Sequence, residues 1–147
     1  MPPLHVLFDG ECATCHALVR LALRHPARAG LRFVPLGAVV NTPAGDALAH
    51  RLGEPLGATL VVLRDGEALT RSDAVLALAA ALGGAWQLAG LGRLLPRPWR
   101  DALYDALAAR RHRLGLASVA CEQLPAEARG LVLDSLPPEA LAAETVR

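Results

Sequence analysis

The sequence predicts an α/β domain: a βαβ unit, then a ββα unit, then a helical extension. Three observations predict it. An apolar strand, Val6-Leu7-Phe8, runs into Asp9-Gly10-Glu11-Cys12-Ala13-Thr14-Cys15-His16, and a helical stripe follows. Further on, Ala58 to Leu63 (ATLVVL) is the strongest strand in the chain, and an Asp-Gly turn signal comes directly after it. From Gly84 onward the pattern is helical.

Taken in order, His5 to Asp9 reads as a short buried strand. Cys15, Leu18, Val19 and Ala22 recur at i, i+3, i+4 and i+7, one apolar helical stripe that leads into the apolar helix from Ala17 to Arg24; Pro26 ends it. Leu31 to Leu36 reads as a second strand with Pro35 near its end, and Thr42 to Leu52 as a short helix stopped by Gly53. The strand Ala58–Leu63 turns through Arg64-Asp65-Gly66-Glu67 into Ala68 to Arg71. Ser72 is a good N-cap for a helix from Asp73 to Leu82. Trp86 to Leu95 forms the next segment, and Pro96-Arg97-Pro98 a joint. Pro98 opens a helix with Trp99, Leu103, Ala106 and Leu107 on one face, which makes Trp86 and Trp99 expected core anchors. The chain is read as a single domain, 1–147: a core over 4–83, a helical extension over 84–115 and an unassigned tail over 116–147.

Composition narrows the function classes. The chain is 53% hydrophobic but only 3% aromatic, so Ala, Leu and Val must build the core. A net charge of +1 argues against a nucleic-acid footprint. Every cation other than histidine is arginine, which removes Schiff-base and P-loop lysine chemistry. Three cysteines are too few for a secreted disulfide scaffold, and Met1 to His5 lacks a basic segment leading into an apolar one, so the cytoplasm is the expected compartment. The stretch from Ala74 to Gly92 carries no charge, but Gly83-Gly84 breaks it and Ala dominates it. Two buried helices meeting at the glycine pair explain it better than a membrane span, and membrane association is not expected.

The cysteines carry the chemistry. A Cys in the first turn of a helix faces unpaired backbone N–H groups and the positive dipole end, which stabilises a thiolate. Cys12 is therefore the candidate nucleophile, opposed in part by the acidic neighbours Glu11 and Asp9. Cys15, one turn on, can close a small disulfide with it and is the candidate resolving thiol. Asp9 is placed either to relay the proton of Cys15 or to accept N–H groups in the turn. Cys12 to His16 also spells C-x-x-C-H, the haem attachment pattern, but the only Met available as an axial ligand is Met1. Zinc on Cys12, Cys15, Cys121 and a His is the stronger alternative, although Cys121 lacks a close-spaced companion ligand. Arg110-Arg111-His112-Arg113 is the one basic cluster, suited to a helix C-terminus, with docking to an anionic partner or an acidic membrane surface as the alternative use.

These residues resemble the DCC family of thiol-disulfide oxidoreductase-like proteins, named for D-x-x-C-x-x-C and matched here by Asp9, Cys12 and Cys15. Ser72-Asp73-Ala74 after a hairpin, Pro96-Arg97-Pro98, the Tyr104 helix, Arg111-His112-Arg113, and Cys121 followed by Leu124-Pro125 extend the resemblance over roughly residues 4 to 125. The resemblance implies a thioredoxin-like fold and dithiol–disulfide exchange. One departure is that Ala58-Thr59 stands where thioredoxins place a cis-proline before the central strand, with Pro55 three residues earlier.

The expectation is therefore a thioredoxin-like oxidoreductase that cycles a Cys12–Cys15 disulfide, with Asp9 assisting. It would act on protein or small-molecule disulfides or thiols, be recycled by an external reductant, and need no bound cofactor beyond the dithiol. The rivals are a zinc-binding module and a redox-inactive docking domain.

Overall fold

A computed structural model describes residues 3–8, 20–22, 24–25, 30–57, 59–110 and 130–141. Four strands, β1 (Leu4–Phe8), β2 (Leu31–Pro35), β3 (Val61–Arg64) and β4 (Glu67–Thr70), form one sheet in the order β2-β1-β3-β4. β1 and β2 are parallel, with Leu4 opposite Leu31 and Phe8 opposite Pro35. β3 runs antiparallel to β1, pairing Leu7 with Val61, and β4 antiparallel to β3, pairing Val61 with Thr70. A parallel β1–β2 pair requires a crossover, and residues 20–22 and 24 on that connection are helical.

Alternation along the strands buries both faces of the sheet. Leu4, Val6 and Phe8 point one way, into a core with Ala22, Phe33, Val62, Ala74, Leu78 and Leu82. Phe8 meets Phe33 edge-on, with ring centroids 6.2 Å apart. Leu7 points the other way, with Val34, Val39, Leu48, Val61, Leu63 and Ala140. Helix α1 (Pro43–Leu52) supplies Leu48 to the second core, and α2 (Arg71–Leu82) supplies Ala74, Ala77, Leu78 and Leu82 to the first.

Local chemistry sets the element ends. The Thr42 hydroxyl accepts the Gly45 N–H at 3.1 Å, Pro43 occupies the first turn, and Gly53 closes α1 in the left-handed region at φ 70°. Asp65 and Gly66, at φ 51° and 77°, form the tight β3–β4 turn. Gly45 has no substitute, because a Cβ there would collide with the Val39 carbonyl oxygen.

The charge-free stretch does break at Gly83 and Gly84, both at positive φ. A 3₁₀ segment, Gly84–Leu94, follows, then α3 (Arg97–Arg110). Among the described residues no helix is long and apolar enough to cross a membrane. The expected burial of these segments is overturned. Trp86 and Trp99 are exposed rather than core anchors, as are Leu88, Leu91, Leu94, Leu103 and Leu107.

Part of the tail also belongs to the core. Val132 forms a parallel bridge with Phe33 on the outer side of β2: the Phe33 N–H donates to Leu131 at 2.7 Å, and the Leu133 N–H donates to Phe33 at 2.8 Å. This covers an edge that would otherwise offer unpaired backbone groups. The short helix α4 (Pro138–Leu141) then buries Ala140 in the second core.

Candidate functional site

The site is defined by one edge of the sheet. β1 ends there at Phe8, β3 begins there at Val61, and β4 ends there at Thr70, because β3 is antiparallel to β1 and β4 to β3. The chain therefore leaves β1 toward Asp9 from the edge at which α2 begins. Asp9, Cys12 and Cys15 lie outside the described residues, as do His16, Ala58, Cys121 and Arg111 to Arg113.

A polar network stands at this edge, built on the start of α2. Asp73 in its first turn accepts from Arg97 at 3.1 Å and from Arg100 at 3.0 Å. Asp101 accepts the hydroxyl of Ser72 and stands 3.6 Å from Arg97. The Ser72 hydroxyl bond, joined by the Ser72 backbone N–H and by the guanidinium groups of Arg97 and Arg71, holds the Asp101 carboxyl below its ordinary value despite the opposing effect of burial. The sequence expectation that Ser72 caps α2 is corrected here. The helix starts at Arg71 after Thr70, which makes no side-chain cap, and Ser72 sits inside the first turn. Asp101, arriving from α3, supplies the anion that the helix start favours.

Arg71 carries the strain of the site. Its φ of 51° is in the left-handed region, which a long side chain seldom occupies. Two carboxylates hold it: Glu54 at 3.2 Å and Asp105 at 3.4 Å. Glu54 also accepts the Thr59 hydroxyl at 3.3 Å, which ties the approach to β3 to the start of α2. One residue on, the Leu60 N–H donates to the Tyr104 hydroxyl at 3.0 Å. No cis peptide bond occurs among the described residues.

Motifs far apart in sequence thus meet at one place. Ser72-Asp73, Arg97 within the Pro-Arg-Pro joint, and Tyr104 converge where β1 ends. Sequence reading missed Glu54, Arg71, Arg100, Asp101 and Asp105 as partners in this network. The available signal was the spacing Arg97, Asp101, Asp105 and Arg100, Tyr104, each at i, i+4 on α3. The network holds guanidinium, carboxylate and hydroxyl groups, whose ion pairs and hydrogen bonds fix the start of α2 against α3. Among the described residues no group of three or more His, Cys, Asp or Glu could hold a metal ion.

A mixed sheet of order β2-β1-β3-β4, with helices on both faces and a redox-type motif after β1, defines a thioredoxin-like α/β protein. The DCC1-like thiol-disulfide oxidoreductase model matches residues 6–117, and the chain belongs to that family. It is 28% identical over 115 residues to the uncharacterized protein YuxK of Bacillus subtilis (strain 168), covering 77% of this chain and 81% of that protein. No solved structure matches the chain.

Proposed function

We propose that the chain catalyses thiol–disulfide exchange through Cys12 and Cys15, with Asp9 as proton acceptor. The observation that carries this reading is positional. The D-x-x-C-x-x-C motif follows β1 directly, and β1 ends at the edge where a strained, ion-paired network gathers Ser72, Asp73, Arg97 and Tyr104. Membership of a thiol-disulfide oxidoreductase family supports the reaction class.

In the proposed reaction the Cys12 thiolate attacks one sulfur of a substrate disulfide. A mixed disulfide forms, and the other substrate sulfur leaves as a thiolate that takes up a proton. Cys15 gives its proton to Asp9 and attacks the Cys12 sulfur, releasing the second substrate thiol. The Cys12–Cys15 disulfide then holds the oxidising equivalents until an external thiol reductant restores the dithiol. The electrons reside on the two sulfurs, so the scheme calls for no bound cofactor. A cytoplasmic setting, where thiol pools are kept reduced, would drive the cycle in the reductase direction.

The test is trapping. Cys15→Ser should accumulate mixed disulfides with a model disulfide substrate, whereas Cys12→Ser should lose turnover and trap nothing. Equal residual turnover in both variants would remove Cys12 as the attacking group.

A further inference from the structure

Helix α3 is amphipathic in the reverse sense. Its polar residues Arg100, Asp101 and Tyr104 turn inward, to Asp73, Ser72 and the Leu60 backbone. Its apolar stripe, Trp99, Leu103 and Leu107, faces out, with Trp99 71% exposed. A surface helix ordinarily does the opposite. The preceding 3₁₀ segment and its C-cap extend the apolar surface with Trp86, Leu88, Leu91, Leu94 and Leu95, of which Leu94 is 83% exposed. Two adjoining segments that each expose Trp and Leu on this scale mark a contact with something.

The charges say what. Arg93 lies among the exposed leucines and Arg110 at the end of the Trp99–Leu103–Leu107 stripe. Both are exposed, and neither makes an ion pair among the described residues. The carboxylates of α3 are already engaged: Asp101 with Ser72 and Arg97, Asp105 with Arg71. Among the described residues the two segments therefore present Trp, Leu and Arg with no free carboxylate. A second copy docked through the same face would set cation against cation with nothing to neutralise them. An anionic lipid surface satisfies both parts: Trp and Leu enter the headgroup boundary, and the arginines reach the phosphates.

We propose that the exposed apolar residues of these two adjoining segments, Trp86, Leu91, Leu94, Trp99, Leu103 and Leu107, together with Arg93 and Arg110, seat the protein on an anionic membrane surface. This departs from the sequence expectation of no membrane association. It is a surface attachment, in keeping with the absence of a membrane-spanning helix among the described residues. The proposal does not depend on the redox reading, because it uses none of those residues and its readout needs no turnover.

The experiment is vesicle flotation of the full chain, using phosphatidylcholine vesicles with and without phosphatidylglycerol. Tryptophan emission is read in parallel, since Trp86 and Trp99 are the only tryptophans. The expected result is flotation with the phosphatidylglycerol vesicles, a blue shift, and loss of both in high salt. Arg93→Gln/Arg110→Gln should weaken binding about tenfold with an unchanged circular dichroism spectrum. Leu94→Ser/Trp99→Ser, at two exposed positions, should abolish flotation. Absence of flotation overturns the proposal, whether the chain is then monomeric or self-associates in sedimentation. So does equal flotation of the Arg93→Gln/Arg110→Gln variant.

Discussion

The Asp101 carboxylate, on α3, accepts the Ser72 hydroxyl in the first turn of α2, and so caps one helix from another. Arg97 and Arg100 cross the same junction in the opposite sense, to Asp73. The junction fastens the helical extension to the sheet edge from which the D-x-x-C-x-x-C segment departs.

Removing either end of that contact should loosen the junction. Ser72→Ala and Asp101→Asn should each cost about 1–2 kcal/mol, and a double-mutant cycle should return a coupling of about 1 kcal/mol, read by urea unfolding. Because the folded Asp101 carboxyl lies below its ordinary 3.8, the stabilisation is complete above that pH and is lost as the solution is acidified through the lower folded value. The coupling should therefore shrink in the acid range below 3.8 and stay flat near neutrality.

Tyr104→Phe leaves the Leu60 N–H without its acceptor. The expected cost is about 1 kcal/mol, with faster hydrogen exchange at the Leu60 amide and little change at the core amides of Val61 and Val62. Uniformly faster exchange across β3 would show instead that the ring, rather than the hydroxyl, carries the contact.

His5 is buried on β1, and burial lowers its pKa below the ordinary 6.5; Glu139 opposes that effect and Arg32 adds to it. The unfolded chain then binds the proton more tightly. Stability from His5 is complete above 6.5 and falls as the pH drops from there through the folded value. Unfolding midpoints should decline over that interval, and His5→Gln should flatten the slope.

What was legible in the sequence was local. Thr42-Pro43 and Gly53 bound α1, and Asp65-Gly66 turns the hairpin, because caps and turns are decided by neighbours in the chain. The sequence shows the stripe Trp99–Leu103–Leu107, but not its direction. Helical periodicity reports that a face exists and leaves open whether it points inward, and here the ion pairs of Arg97, Arg100 and Asp101 turn α3 the other way. Ser72 looks like a cap in the sequence because its partner, Asp101, is far away in the chain. The bridge of Val132 to Phe33 was invisible for the same reason: pairing at a sheet edge leaves no local pattern. The candidate dithiol rests on motif and spacing alone, because Cys12 and Cys15 lie outside the described residues.

The central claim is that Cys12 and Cys15 exchange disulfides as a pair. The direct test is a redox titration of the purified chain in glutathione or dithiothreitol buffers, read by alkylation and intact mass. The account predicts one reversible two-electron transition confined to Cys12 and Cys15, with Cys121 giving the same alkylation at every potential. Cysteines that never pair, or that resist alkylation until a chelator is added, would contradict it and leave a metal-binding or docking module in its place.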